Sequence, residues 1–395
     1  MSVAFAAQGG RLASGSRDKR VKLWEAESGK LLRTLEGHTG DVNSVAFAAQ
    51  GGRLASGSDD YTVKLWEAES GKLLHTLTGH TNLVLSVAFA AQGGRLASGS
   101  LGNTVKLWEA DSGKLLHTLA GHKDRVYSVA FAAQGGRLAS GSLDNTVKLW
   151  EAESGKLLHT LAGHTNAVMS VAFATQKGWL ASGSYDNTVK LWEAESGTLL
   201  RTLEGHTGSV DALAFSADGR LLASKSNDGT IRVWSCETWE TVAVIPEPTN
   251  PDWWIPALAF HPTLPRLATA GSAPDTPKDE RSQLIHLWDL DLEVLLGDAK
   301  SGGSKHGVLK TRQDEHYRNA KVVLVGNSSV GKSGLGLVLA GRKFRATEST
   351  HGRHIWSITT VSGALDSGER GGVSPPVGRR MHRGADAAPL ACLSR

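Results

Sequence analysis

Eight residues toward the C-terminus, Gly326-Asn-Ser-Ser-Val-Gly-Lys-Ser333, have the types and spacing to hold phosphate. The glycines let backbone N–H groups close around phosphate oxygens, Lys332 would reach the terminal phosphates, and Ser333 would ligate Mg²⁺. The apolar run Lys321-Val-Val-Leu-Val325 precedes this loop and Gly334-Leu-Gly-Leu-Val-Leu-Ala340 follows it. A strand and a helix would therefore position it, which is the context the pattern requires. The other candidates for chemistry are His80, His122, His164 and His206, each of which follows a glycine. Imidazoles can bind metals, but metal ligands cluster, and these histidines recur singly at wide, even spacing. They read as structural.

The even spacing belongs to a repeat. The run Ser44-Val-Ala-Phe-Ala-Ala-Gln-Gly-Gly-Arg-Leu-Ala-Ser-Gly-Ser58 returns from Ser86 and Ser128, 42 residues apart. A decayed copy starts at Ser170 and a more divergent one at Ala212. Each copy holds four short runs, at 44–47, 53–56, 62–66 and 72–76 in the first of these, separated by Gly, Ser and Asp. Alternating β-branched runs with such punctuation are strands joined by hairpins. The period falls in the range of a four-stranded propeller blade. No sustained helical period occurs before residue 321.

A tryptophan closes each third run: Trp24, Trp66, Trp108, Trp150, Trp192, Trp234 and Trp288. With the Gly-His pairs, these residues resemble the WD-repeat β-propeller family over roughly residues 2–297. The family's Trp-Asp is Trp-Glu in the first five repeats, Trp234-Ser235 in the sixth and Trp288-Asp289 in the seventh. The resemblance implies an all-β, seven-bladed propeller of four-stranded antiparallel blades across 1–297. It also implies a buried hydrogen-bond network of the Gly-His histidine, a strand serine, a turn aspartate and the tryptophan. By position these are His80, Ser56, Asp60 and Trp66, and likewise around His122, His164 and His206. Gly102 stands where the repeat from Ser86 should carry the aspartate, so that network is expected to be incomplete.

A formal net charge of +4 on 395 residues implies no nucleic-acid surface. Cys236 and Cys392 lie far apart, which argues against a disulfide framework and suits a reducing compartment. The N-terminus carries no basic leader and no stretch is apolar enough to span a membrane. A soluble, cytoplasmic protein with no membrane contact is the expectation. Met1 falls directly before a first strand with no Gly-His loop ahead of it. Ring closure should then rest on side-chain packing between the first and last blades, and the chain reads as a piece of a longer protein.

Near-identical repeats show where change is tolerated. Residues 44–85 and 128–169 differ only at Asp59/Leu143, Tyr61/Asn145, Thr78/Ala162, Leu83/Ala167 and Leu85/Met169. Four of these differences fall in two loops, the turn between second and third strands and the lead-in to the first strand. Both loops emerge on one face of the disc. The lead-ins carry Leu83, Leu85, Arg125, Tyr127 and Met169, with Trp253 and Trp254 before the seventh blade. The turns carry Leu101, Leu143 and Tyr185. Aromatic, Met and Arg residues are common interface anchors, so these positions are candidates for binding a protein or peptide. The alternative is drift in tolerant loops, with some of these side chains packing between blades. Each blade repeats the same inner strand, so no carboxylates or histidines converge on the channel to suggest an enzyme.

The C-terminal pattern resembles the start of a Ras-like small GTPase over about residues 319–357. Thr350-His351-Gly352 matches the Thr-x-Gly of that family's first switch loop. The resemblance implies GTP held by Gly326, Gly331, Lys332, Ser333 and Thr350, with Mg²⁺ on Ser333 and Thr350. The Asp-x-x-Gly and Asn-Lys-x-Asp that the family needs are missing. The expected plan is therefore a polar linker at 298–318, a truncated α/β P-loop segment at 319–357 and a disordered tail at 358–395. The linker composition predicts few contacts between propeller and tail. The leading reading needs no cofactor: a non-catalytic scaffold binding a protein or peptide. A GTP-binding switch with the propeller as recognition module is the alternative.

Overall fold

The middle strands of a repeat are buried on both faces, so a blade needs a neighbour on each side. A computed structural model of the protein shows how that need is met. It describes residues 2–247, 257–272 and 283–296, apart from 51, 93, 134 and 135, together with strands at 321–325, 345–348 and 354–357. Seven antiparallel sheets stand in a ring, and in each the four strands counted from the inside run outward in sequence order. In the second blade these are Val42–Phe47, Arg53–Ser58, Val63–Glu67 and Leu73–Leu77. The first strands of successive blades touch one another, and Ser2–Phe5 of the first blade meets Leu258–Phe260 of the seventh, so they line the central channel.

The apolar core lies between blades. Ala13, Val21, Leu23 and Leu35 of the first blade pack against Val42, Val45, Leu54 and Trp66 of the second, and the later blades repeat the layer. The approach is close. A Cβ placed on Gly57 would stand 2.7 Å from Val84 Cγ1 and 3.1 Å from Val87 Cγ1 of the next blade. Between inner strands, Val45 N–H donates to Ser2 Oγ at 3.1 Å and Val87 N–H to Ser44 Oγ at 3.0 Å. Ser86, Ser128 and Ser170 continue this ladder.

The ring closes as expected, by side chains. Val3, Leu12 and Trp24 pack with Ala257, Ala268, Ile285 and Leu287. The His261 ring also meets Phe5 edge-on at 4.9 Å, and its Nε2 lies 3.0 Å from the Gly9 carbonyl.

The seventh blade corrects two expectations. After Gln283–Asp289 the chain enters a short helix, Leu292–Leu296, instead of a hairpin. The fourth strand of the blade is Lys321–Val325, paired antiparallel with Gln283–Asp289 in the register Ile285↔Val325 to Trp288↔Val322. His354–Ser357 and Arg345–Glu348 then extend this sheet to six strands. The apolar run expected to open an α/β P-loop segment is thus an outer strand of an all-β sheet, and a boundary before it does not separate two folds. The physical reason is the edge: without it, Gln283–Asp289 would present unpaired N–H and C=O groups, and a β-branched run is well suited to cover them. The linker 298–318, the phosphate-loop residues and the tail 358–395 lie outside the described residues.

A chain ending at residue 297 should therefore melt lower than the full chain, because the seventh blade loses its outer strand. The fall should be several degrees, at about 2–4 °C per kcal/mol for a domain of this size. Superimposable melts of the two chains would show that strand 321–325 adds no stability.

Candidate functional site on the loop face

The second blade carries a directed relay of buried hydrogen bonds. Trp66 Nε1–H donates to Ser56 Oγ at 2.8 Å. Having accepted there, the serine hydroxyl donates to His38 Nε2 at 2.7 Å. The imidazole Nδ1–H then donates to Asp60 Oδ2 at 2.8 Å. Asp60 also accepts from Thr39 N–H at 3.0 Å and from the Thr62 hydroxyl at 2.6 Å. Burial lowers the pKa of His38, and the Lys64 charge adds to this against the pull of Asp60. Burial pushes Asp60 up, but the bonds from Thr62, His38 and Thr39 outweigh it and hold the carboxyl at about 2. At neutral pH the relay is a neutral imidazole donating to a carboxylate. The same arrangement joins His122, Ser140, Asp144 and Trp150, then His164, Ser182, Asp186 and Trp192, then His206, Ser224, Asp228 and Trp234.

The expected set around Trp66 is corrected in one member. The histidine is His38, not His80, because the lead-in loop packs against the blade that follows it. His80 serves the third blade, with Nε2 2.7 Å from Ser98 Oγ, which accepts from Trp108 Nε1 at 2.8 Å. Gly102 supplies no carboxylate, and His80 Nδ1 is buried with no hydrogen-bond partner. Burial, with the Lys106 charge behind it, lowers the His80 pKa to about 4.

The seventh blade rebuilds the relay from other residues. Trp288 Nε1–H donates to Thr269 Oγ1 at 3.0 Å, and that hydroxyl donates to Glu247. Glu247 also accepts from His286 Nδ1 at 2.8 Å and pairs with Lys225 Nζ at 2.5 Å. Nothing in the period pointed to Glu247, which replaces a Gly-His glycine, or to Lys225, which replaces the strand glycine.

The two variable loops do share a face. Turn and lead-in are tied by backbone bonds, Leu101 N to Leu83 O at 3.0 Å, Leu143 N to Arg125 O at 2.9 Å and Tyr185 N to Ala167 O at 2.9 Å. The position before the inner-strand serine is a β-bulge: register shifts between Val126 and Ser128, and again between Val168 and Ser170, leaving Tyr127 and Met169 as extra residues. Of the expected contact residues, Arg125 and Tyr185 are exposed, while Leu83, Leu101, Tyr127 and Leu143 are half-buried. Leu85 and Met169 are only 8 % and 7 % exposed, so they are corrected to buried side chains, as apolar groups gain by leaving water. Trp253 and Trp254 lie outside the described residues, as do Gly326, Gly331, Lys332, Ser333 and Thr350.

Sequence reasoning passed over two residues here. Tyr61 is 45 % exposed and has φ +67°, where the equivalent turns carry Lys19, Asn103, Asn145, Asn187 and Gly229. Asn and Gly adopt that region more readily than Tyr, so Tyr61 costs some stability. The Tyr61/Asn145 difference between copies was the available signal. Asp211 occupies the bulge of the sixth blade, one of its oxygens buried without a partner, and burial raises its pKa to about 6. Among the described residues no cluster of His, Cys, Asp and Glu could hold a metal ion, and no helix is long and apolar enough to cross a membrane.

The family description "WD domain, G-beta repeat" matches residues 1–25, 29–67, 71–109, 113–151, 155–193 and 197–235, more than half of the chain. The chain belongs to that family. It is 59 % identical over 34 residues to F-box/WD repeat-containing protein 7 of Drosophila melanogaster, a match covering 9 % of this chain and 3 % of that protein. It is also 59 % identical over 34 residues to nuclear distribution protein PAC1 of Arthroderma benhamiae, covering 9 % of this chain and 7 % of the relative. The chain thus spans a small fraction of the length of the curated relatives it matches. Propellers of this family are in general protein-interaction scaffolds.

Two outcomes follow from the relay. Trp66→Phe should cost about 1–2 kcal/mol, the scale of a buried hydrogen bond left half-made, and Trp108→Phe should cost less because its relay ends without a carboxylate. Equal losses in urea titrations of the two variants would reject cooperation along the relay. The second outcome concerns acid. The unfolded chain protonates His80 near pH 6.5, the folded chain only near pH 4, so unfolding takes up protons and stability falls as pH drops through that window. The fall should continue toward pH 2 as Asp60 and Asp144 protonate. Asp211, raised to about 6, opposes the fall between about pH 6 and 4, but His38, His122, His164 and His206, all lowered by burial, add to it. Stability measured by urea unfolding should be lower at pH 4 than at pH 7, and a higher value at pH 4 would contradict it.

Proposed function

We propose that the propeller is a non-catalytic scaffold that binds a protein or peptide partner through the loop face carrying Tyr61, Arg125, Tyr127 and Tyr185. The observation that carries this reading is the asymmetry between the two faces. Near-identical blades differ mostly in the loops of one face. On the opposite face the copies repeat one ion pair between neighbouring blades: Arg53 with Asp111, Arg95 with Glu153 at 2.5 Å and Arg137 with Glu195 at 2.5 Å. Rigid frames with variable loops are the usual arrangement for recognition. An exposed tyrosine kept in a strained turn supports the same reading, because folding alone favours Asn there. A cytoplasmic setting accompanies it, in keeping with Cys236, a buried unpaired thiol that burial pushes up to about 12. Nothing among the described residues supports the GTP-dependent alternative, whose leading strand is part of the seventh blade.

The triple variant Tyr61→Asn, Arg125→Ala, Tyr185→Ala should lose its partner while melting at or slightly above the wild-type temperature. Anchors typically cost ~2 kcal/mol each, so affinity should fall at least 30-fold. The opposite-face pair Gln50→Ala, Gln92→Ala should retain the same partner. Quantitative pull-downs from native extract with all three proteins check this. Equal capture by the triple variant would reject the loop face.

A further inference from the structure

The third blade lacks a carboxylate that its own backbone is built to hold. We propose that this blade is a receptor for a carboxylate group presented from outside the chain, either a small monocarboxylate or an acidic side chain. In the second, fourth, fifth and sixth blades, one aspartate accepts from the imidazole Nδ1–H, from the backbone N–H after the histidine and from a threonine hydroxyl. In the fourth blade these bonds are His122 at 2.8 Å, Lys123 N–H at 2.9 Å and Thr146 Oγ1 at 2.6 Å, all to Asp144. The third blade keeps the counterparts His80, Thr81 and Thr104 and replaces only the aspartate, with Gly102.

The direction of the relay decides the chemistry. Ser98 is fully buried and accepts from Trp108 Nε1–H, and His80 Nε2 at 2.7 Å is the acceptor within reach of its hydroxyl, so Ser98 donates there and the proton of the neutral imidazole sits on Nδ1, as in the sister blades. Nδ1–H is a donor, buried in a residue only 7 % exposed, with no acceptor. A cation or metal would meet a ring of donors, whereas a carboxylate would meet its partners. Lys106, bonded to Thr118 Oγ1 at 2.9 Å, adds positive charge behind the imidazole. The seat opens when one side chain turns aside. A Cβ on Gly102 would approach Thr81 Oγ1 at 2.9 Å, a hydroxyl that can swing away, and its next neighbour is Ser100 Oγ at 3.5 Å. In the sister blades the carboxylate side chain is 7–8 % exposed and reached from a surface turn, so an outside group has a short path and a nearly dry seat.

Thermal melts of the full chain at pH 7, in sodium acetate against sodium chloride of equal ionic strength, test the assignment. Acetate should raise the wild-type Tm saturably by about 2–4 °C. Gly102→Asp should melt higher than wild type and give no acetate response. A second readout does not depend on how that variant folds: acetate should shift the His80 imidazole signals in 1H–15N spectra of the wild type. The peptide acetyl-Gly-Asp-Gly-amide, against its Asn counterpart, separates the sources. A tighter response to the Asp peptide than to acetate assigns the seat to a partner's side chain, and the reverse assigns it to a free monocarboxylate. No saturable acetate effect on either Tm or the His80 signals, or an equal Tm effect in Gly102→Asp, overturns the proposal.

Discussion

Each blade buries an indole, and a buried indole N–H must be given an acceptor. That requirement organises much of the molecule. Trp66 on the third strand takes Ser56 on the second, Ser56 takes His38 from the loop before the blade, and His38 takes Asp60 in the turn. One relay thus fixes the loop, the turn and two strands in a single register. It also explains why loops carrying variable side chains can be rigid: the variable residues sit beside the histidine and the aspartate that are locked in place.

The spacing between blades is the second constraint. The strand glycines let Val84 and its equivalents approach to distances that no Cβ would allow, and the inner-strand serines bridge neighbouring blades through their hydroxyls. Where the repeat decays, both devices change together. Lys225 takes the glycine position, Ala212 takes the serine position, and the space beside them is filled by the pair of Lys225 with Glu247. Lys225 and His286 hold the Glu247 pKa down against its burial. A buried ion pair costs desolvation, and this one is offset by bonds to Thr269, His286 and the Ala270 carbonyl.

Repetition also makes departures readable as departures. A glycine at 102 or a tyrosine at 61 would pass unnoticed in a chain without copies. Against sister blades, each is a local loss: a donor left without its carboxylate, and a side chain held where Asn would be relaxed.

Much of this protein was legible without coordinates. The period, the alternation and the tryptophans are local facts, and strand length, turn chemistry and blade number follow from them, because a hairpin is decided by the residues within it. The consequence of Gly102 was legible too, since a missing acceptor is a matter of composition. What depended on contacts between distant segments was not. The histidine belongs to the blade after it, so His38 and not His80 meets Asp60. Leu85 and Met169 sit in loops by sequence, yet their side chains are buried, and Tyr61 remains outside. The run Lys321–Val325 has the same residues whether it opens a nucleotide-binding sheet or closes a blade. Only the open edge of Gln283–Asp289, brought near by the ring, decides that it closes a blade, because pairing those backbone groups is a tertiary demand that no local pattern expresses.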